Sequence, residues 1–381
     1  MRDARQSAGE FGPTGAHGVL QIHPTRQCNL RCLHCYSSSA PEEHGALPVD
    51  LLMGAVEDAA EEGYTVASLS GGEPLLYRPL RRLLTHAKAC GLHTTVTTNG
   101  MLLDARRRAR LEGVADLVAI SLDGVPESHN RIRGSDRAFD RMHSRLEGLR
   151  TSGIPFGFIF TLTQHNLPEL EWVARFAAEE GAQLLQIHPL EEVGRAASAL
   201  PGERPDELEA SVTYLEAARL QQEVGSELAI QVDVVHRGVM RAHPDRVYAG
   251  PGETEDDVAD RPLSALVSPL VIEADGTVVP LQYGFARRFA LGALTEAPLR
   301  TLAPCWKAER APAFRRLCRA VYAAESAPPA RSNAADEPAT QAAGGRSSGE
   351  RNASPEENPG YPFFNWYEAI TQRSHAPSED T

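Results

Sequence analysis

The sequence predicts an α/β fold built on a parallel sheet. From Val19 to Leu190 short apolar runs alternate with longer helical segments in six β-α units, and parallel strands need such crossovers because a hairpin cannot return the chain in the same direction. Size agrees: 381 residues, 42 % of them hydrophobic, suffice for one large domain with a smaller one attached. Six units fit an open sheet or a partial barrel, and length alone does not choose.

The units run in order. VLQIHPT (19–25) precedes a helix at Val49 to Glu62, and TVASLS (65–70) precedes one at Pro79 to Cys90. LHTTVTTNG, DLVAISLDG, PFGFIFTLT and AQLLQIHPL continue the strands, with helices at Asp104 to Leu111, Phe139 to Thr151 and Pro168 to Glu180. Residues 201–264 read as a helical and loop connection, with a helix at Glu207 to Gly225 and a turn-rich, mobile AGPGETEDD. VIEADGTVVPL (271–281) reads as a hairpin around Asp275-Gly276, because Asp-Gly tolerates the positive φ of tight hairpin turns. FALGALTEAPLRTL adds a strand turning into a helix. The division expected is a flexible N-terminus (1–18), the α/β domain (19–200), the connection (201–264), a small module (265–322), a disordered Ala/Ser/Pro/Gly/Glu-rich linker (323–360) and an aromatic tail (361–381). The tail begins YPFFNWY, whose rings are expected to dock into a groove on this chain or a partner. Such a cluster either covers the site's opening or braces the outer helices.

The formal net charge of −13 argues against broad nucleic-acid binding, which needs a surplus of Lys and Arg on one face. No run of 18 apolar residues suggests a membrane span, and the polar MRDARQSAGEFGPTGAHG lacks a signal-peptide core, so a cytoplasmic location is expected. Six cysteines are too few for a disulfide scaffold, yet three fall within CNLRCLHCY, at Cys28, Cys32 and Cys35. Soft thiolates this close suit an iron-sulfur cluster or zinc. Structural zinc prefers a fourth Cys or His with paired Cys-x2-Cys spacing, whereas three ligands leave one iron of a 4Fe-4S cluster free.

Cys-x3-Cys-x2-Cys in the loop after a first strand resembles the radical S-adenosylmethionine (SAM) superfamily. The resemblance implies a partial (β/α)6 TIM-like barrel whose three cysteines hold one 4Fe-4S cluster. The free iron would chelate SAM, which is cleaved reductively to a 5'-deoxyadenosyl radical that abstracts hydrogen from substrate. His34 departs from the pattern, since an aromatic residue usually precedes the third cysteine; Tyr36 follows it. SGGEP, at the second strand's end, resembles the family's SAM-amino-group motif, which implies cofactor contacts from Gly71, Gly72, Glu73 and Pro74. Thr98 and Asn99 match a ribose-contacting position. In SLDGVPESHNRIRG, Ser121, Asp123 and Arg133 match the segment that binds SAM carboxylate and ribose, with Arg131 a rival to Arg133. All sit at strand carboxyl ends, where ligands bind in such sheets. Gln186, His188 and Glu191 in QIHPLEEVGRA are candidates to line the substrate mouth and take part in catalysis.

The 271–294 segment resembles the SPASM or twitch module of peptide-modifying members, which carries auxiliary clusters. Leu281 stands where that module has a cysteine, and Cys305 and Cys318 alone cannot complete its ligand sets. A small, cysteine-poor α+β SPASM/twitch-like module is therefore expected. The resemblance implies an enzyme acting on a ribosomally made peptide in natural-product maturation, with a flavodoxin or ferredoxin as electron donor and a separate leader-peptide-binding partner. Alternatives are a small-molecule substrate, such as an antibiotic sugar or haem-type intermediate, and a non-catalytic cluster- or zinc-binding regulator.

Overall fold

The computed structural model describes residues 18–250, 255–327 and 361–376. The flexible N-terminus expected before Gly18, part of AGPGETEDD, and the linker from residue 328 to 360 lie outside the described residues.

The chain runs β1 (Gly18–Ile22), α1 (Val49–Glu61), β2 (Tyr64–Leu69), α2 (Leu80–Ala89), β3 (His93–Thr98), α3 (Ala105–Arg108), β4 (Leu117–Ser121), α4 (Pro126–Arg133), α5 (Ala138–Ser152), β5 (Phe156–Leu162), α6 (Leu170–Glu179) and β6 (Leu184–Pro189). It continues through α7 (Ala196–Ala199), α8 (Glu207–Val224), β7 (Ala229–Val232), β8 (Val235–His236), α9 (Arg237–Ala242) and α10 (Glu255–Asp260). The last elements are β9 (Leu270–Ile272), β10 (Thr277–Pro280), β11 (Gly292–Ala293), α11 (Leu299–Glu309), α12 (Ala311–Ser326), β12 (Phe363–Phe364) and α13 (Trp366–His375).

Strands β1 to β7 pair in sequence order, all parallel, and give the partial-barrel α/β fold. A seventh parallel strand, β7, lies inside the segment read from sequence as connection. The small module is continuous with the barrel sheet: β9 pairs parallel with β1, and β10 and β11 extend that edge antiparallel. Helix α12 runs to Ser326, past the linker start expected at 323.

Side chains alternate across each strand. One face carries large apolar groups such as Leu20, Ile22, Phe158, Phe160 and Ile187, fully buried in the main core. The other face carries smaller or polar groups such as Gln21, Ser68, Thr97, Ser121, Thr161 and Gln186, and these line one internal cavity. The amino-acid pattern thereby separates a packed apolar shell from an interior of mixed polar and apolar side chains. The tail folds onto the same body: β12 pairs antiparallel with β8, and Phe364, Trp366 and Ile370 are buried. Arg237 pins it, accepting nothing and donating to Glu207, Glu325 and the Tyr361 carbonyl while its guanidinium lies 4.6 Å from the Phe364 ring centroid.

Candidate active site

The cavity, about 440 Å³, runs along the inner face of the parallel strands and reaches the loops at their carboxyl ends. Cys28, Cys32 and Cys35 line it from the loop after β1. Two neighbouring turns fix that loop. Gly72 donates its N–H to the Thr25 carbonyl at 2.8 Å, and Glu73 donates to Gln27 at 2.9 Å. A Cβ on Gly72 would lie 2.2 Å from the Gln27 oxygen, so only glycine permits this approach. Gly134 ends α4 at φ 66°, and a Cβ there would meet the Arg31 carbonyl at 2.9 Å. From the far side, Arg195 donates to the carbonyls of Cys32 and Ser39, each at 2.7 Å.

The sulfurs lie among donors. Leu30 N–H is 3.4 Å from Cys28 Sγ, Asn99 Nδ2 is 4.0 Å from it, and Arg133 Nη1 is 3.7 Å from Cys32 Sγ. Burial, aided by the Glu73 charge, pushes the Cys28 thiol up to about 12; burial also raises Cys32, which Arg133 partly offsets. A metal must therefore displace those protons when it binds. Among the described residues no group of three or more His, Cys, Asp or Glu could hold a single metal ion. Thiolates that each bind a different iron need not converge on one point, and hydrogen-bond donors around the sulfurs are what cluster ligation uses. The donor set fits a cluster.

Of the residues singled out from sequence, Gly71, Gly72, Thr98, Asn99, Ser121, Arg133, Gln186, His188 and Glu191 line the same cavity as the three cysteines. Glu73, Pro74 and Asp123 do not. The Glu73 carboxylate, fully buried, accepts from Leu75 N–H, Thr98 Oγ1 and Asn99 N–H at 2.8 to 3.0 Å, and so ties the β2 and β3 ends together. Asp123 is likewise buried. It accepts from Arg133 Nε at 2.6 Å and lies 3.4 Å from His34 Nε2. Burial opposes its charge, but Arg133 and His34 outweigh this and hold the carboxyl well below the usual range. Asp123 aims Arg133 into the cavity. Arg131, the rival, is exposed.

The opposite wall brings in residues the sequence reading passed over. Asp233, just beyond β7, accepts from Gln186 Nε2 at 2.7 Å and faces His188 Nδ1 at 3.1 Å; Glu191 faces His188 Nε2 at 3.1 Å. Burial lowers the His188 pKa, yet these two carboxylates more than reverse that and raise it to about 10, giving an imidazolium clamped at both nitrogens. Gln282 donates to Glu191 and accepts from Thr371 on α13. Trp366 and Tyr367, from the tail, complete this wall. Strand alternation running past Gln231 signals Asp233, whereas nothing local to the tail signals its destination.

The parallel partial α/β barrel places three loop thiols beside backbone and polar donors at the strand ends of one cavity, an arrangement suited to holding a cofactor. Residues 22–177 match the radical SAM superfamily model. The chain carries a radical SAM domain. It is 31 % identical over 179 residues to the Fe-coproporphyrin III synthase of Methanosarcina barkeri, covering 46 % of this chain and 45 % of that protein. It is 29 % identical over 219 residues to the PqqA peptide cyclase of Xanthomonas campestris pv. campestris, covering 54 % and 56 %. The chain thus spans about half the length of these curated relatives. Its fold is similar to that of Streptococcus suis SuiB bound to S-adenosylmethionine, with a TM-score of 0.60 at 17 % identity over 79 % of this chain and 68 % of SuiB. Among the described residues no helix is long and apolar enough to cross a membrane.

Proposed function

We propose that the chain holds one 4Fe-4S cluster on Cys28, Cys32 and Cys35, binds SAM beside it, and modifies a peptide substrate in natural-product maturation. When bound, that pair would supply a 5'-deoxyadenosyl radical that removes hydrogen from substrate. The observation that carries the reading is the meeting of the three thiols with Gly71, Gly72, Thr98, Asn99, Ser121 and Arg133, from four strand ends, in one cavity. Arg133, held by Asp123, offers a fixed cation for a carboxylate. A mere cluster carrier or zinc-binding regulator has no use for that second set.

The opposite wall supports a peptide over a haem-type substrate. Its charged groups are His188, Glu191 and Asp233, and the one lining arginine among the described residues, Arg133, is on the cysteine side and already paired. A tetrapyrrole with several carboxylates would find two like charges there and a histidine already engaged. A compact small molecule is the second reading, favoured by Trp366 and Tyr367 enclosing the wall.

The test is anaerobic reconstitution with iron and sulfide, then SAM and dithionite. Expected are 5'-deoxyadenosine and, on co-expression with short peptides encoded beside the gene, a mass change in one of them. No deoxyadenosine from a protein with full iron content overturns the radical reading. Deoxyadenosine coupled to a sugar or tetrapyrrole instead transfers the substrate assignment to the second reading.

A further inference from the structure

Away from the cavity, the segment DARRRAR (104–110) places four arginines in seven positions of a chain whose net charge is −13. Three of them form a basic hollow with Arg78: Arg78, Arg106, Arg107 and Arg110 line it together with Gln27, Leu75 and Leu76. Two of these cations are built into the fold. Arg110 donates to the carbonyls of Leu75, Tyr77 and Arg78 at 2.5 to 3.0 Å, and Arg107 pairs with Asp104 at 2.5 Å. Arg78 and Arg106 are exposed and have no carboxylate partner among the described residues. Burial and the neighbouring charges of Arg107 and Arg106 lower the Arg110 pKa, which reflects how closely like charges crowd here. One carboxylate, Asp104, offsets four guanidiniums.

The position of the hollow gives this surplus its meaning. Gln27 immediately precedes Cys28, and its carbonyl is hydrogen-bonded to Glu73, so the hollow backs directly onto the loop that bears the thiols. We propose that this hollow is the docking surface for an acidic, one-electron carrier protein. The inference rests on the radical SAM reading above. Cleaving SAM to a radical consumes one electron, which must come from outside the chain: the carrier is oxidised by one electron, the cluster is reduced by one, and no proton moves at the interface. Opposite charge steers such a transient partner and raises its rate of encounter without demanding a large apolar interface. A nucleic acid fits less well, because its long backbone would also meet the acidic remainder of the surface.

The full chain, before and after cluster reconstitution, is titrated with purified flavodoxin, with Arg78→Glu/Arg106→Glu as the variant and Arg316→Glu/Arg319→Glu, two exposed positions on α12, as a control of equal charge change. Wild type and control should bind flavodoxin in a salt-weakened manner, and the double variant should bind about tenfold or more weakly. Deoxyadenosine formation should fall in parallel with reduced flavodoxin as donor but not with dithionite. Should the reversal perturb folding, Arg78→Gln/Arg106→Gln gives the same comparison with smaller effect. Equal flavodoxin affinity and flavodoxin-driven turnover in all three proteins overturns the docking surface. Absence of deoxyadenosine with dithionite in wild type overturns the radical SAM reading instead, and the binding titration still decides the surface.

Discussion

Asp123 and Arg133 form a pair in which neither side chain has water to fall back on, so removing one partner leaves a buried charge. Such a break costs about 3 to 5 kcal/mol. Asp123→Asn is therefore expected to lower stability by roughly 3 kcal/mol in denaturant titration and to weaken SAM binding, since Arg133 loses its 2.6 Å anchor. Arg131→Ala should change neither. A variant that binds SAM normally would sink the positioning role. The sequence made Arg133 legible by its place after SLDG; it did not show that Arg133 lines the cavity while Glu73 and Asp123 are buried against neighbouring residues behind it. His188 yields a second expectation. Its pKa, raised from an ordinary 6.5 to about 10 by Asp233 and Glu191 against the effect of burial, means that the folded state holds the proton more tightly. The resulting stability is fully present below about pH 6.5 and is lost as pH rises through about 10. Thermal melts of wild type and His188→Gln should accordingly converge on going from pH 6 to pH 10. A constant gap would place the imidazolium outside the fold's energetics.

At the scale of elements, the long amphipathic units were readable because their periodicity and their packing agree: β2 to β6 alternate between shell and cavity throughout. β7 was not, because AIQV is four residues of mixed polarity whose strand character comes from pairing with β6. The tail presents the same difficulty in stronger form. YPFFNWY announces that it must be buried, but its partners, β8, α12 and Arg237, are distant in sequence and met only in the fold. Phe363 and Phe364 pair with β8, while Trp366 and Tyr367 line the cavity, so the tail is placed for either role. Truncation after Ala327 should therefore lower the melting temperature and also shorten the life in air of the reconstituted cluster's visible absorption. In the full-length chain, Trp366→Ala should cost about 3 to 5 kcal/mol, as expected for a fully buried indole. Lost stability with unchanged cluster lifetime would reduce the segment to a brace.

On the scale of the whole molecule, the cysteines divide sharply. Three occupy one loop around one cavity, whereas Cys90 follows α2, Cys305 is exposed on α11 and Cys318 is buried in α12, where burial raises its pKa. The small module joins the barrel edge through β9 and is filled by apolar side chains, Trp306 and Phe314 among them, that carry out the structural work a metal would do in a cysteine-rich module. Leu281 is buried and lines the cavity at φ 63°, a conformation L residues enter at a cost. The protein should therefore take up about four irons and four sulfides per chain. Cys305→Ala and Cys318→Ala should leave that content and the brown colour intact, although Cys318→Ala should cost some stability by opening a small cavity. Substituting Cys28, Cys32 and Cys35 together should abolish both. Roughly eight or more irons, falling to about four in the Cys305 or Cys318 variant, would show instead that the module holds a second cluster with ligands other than a full cysteine set.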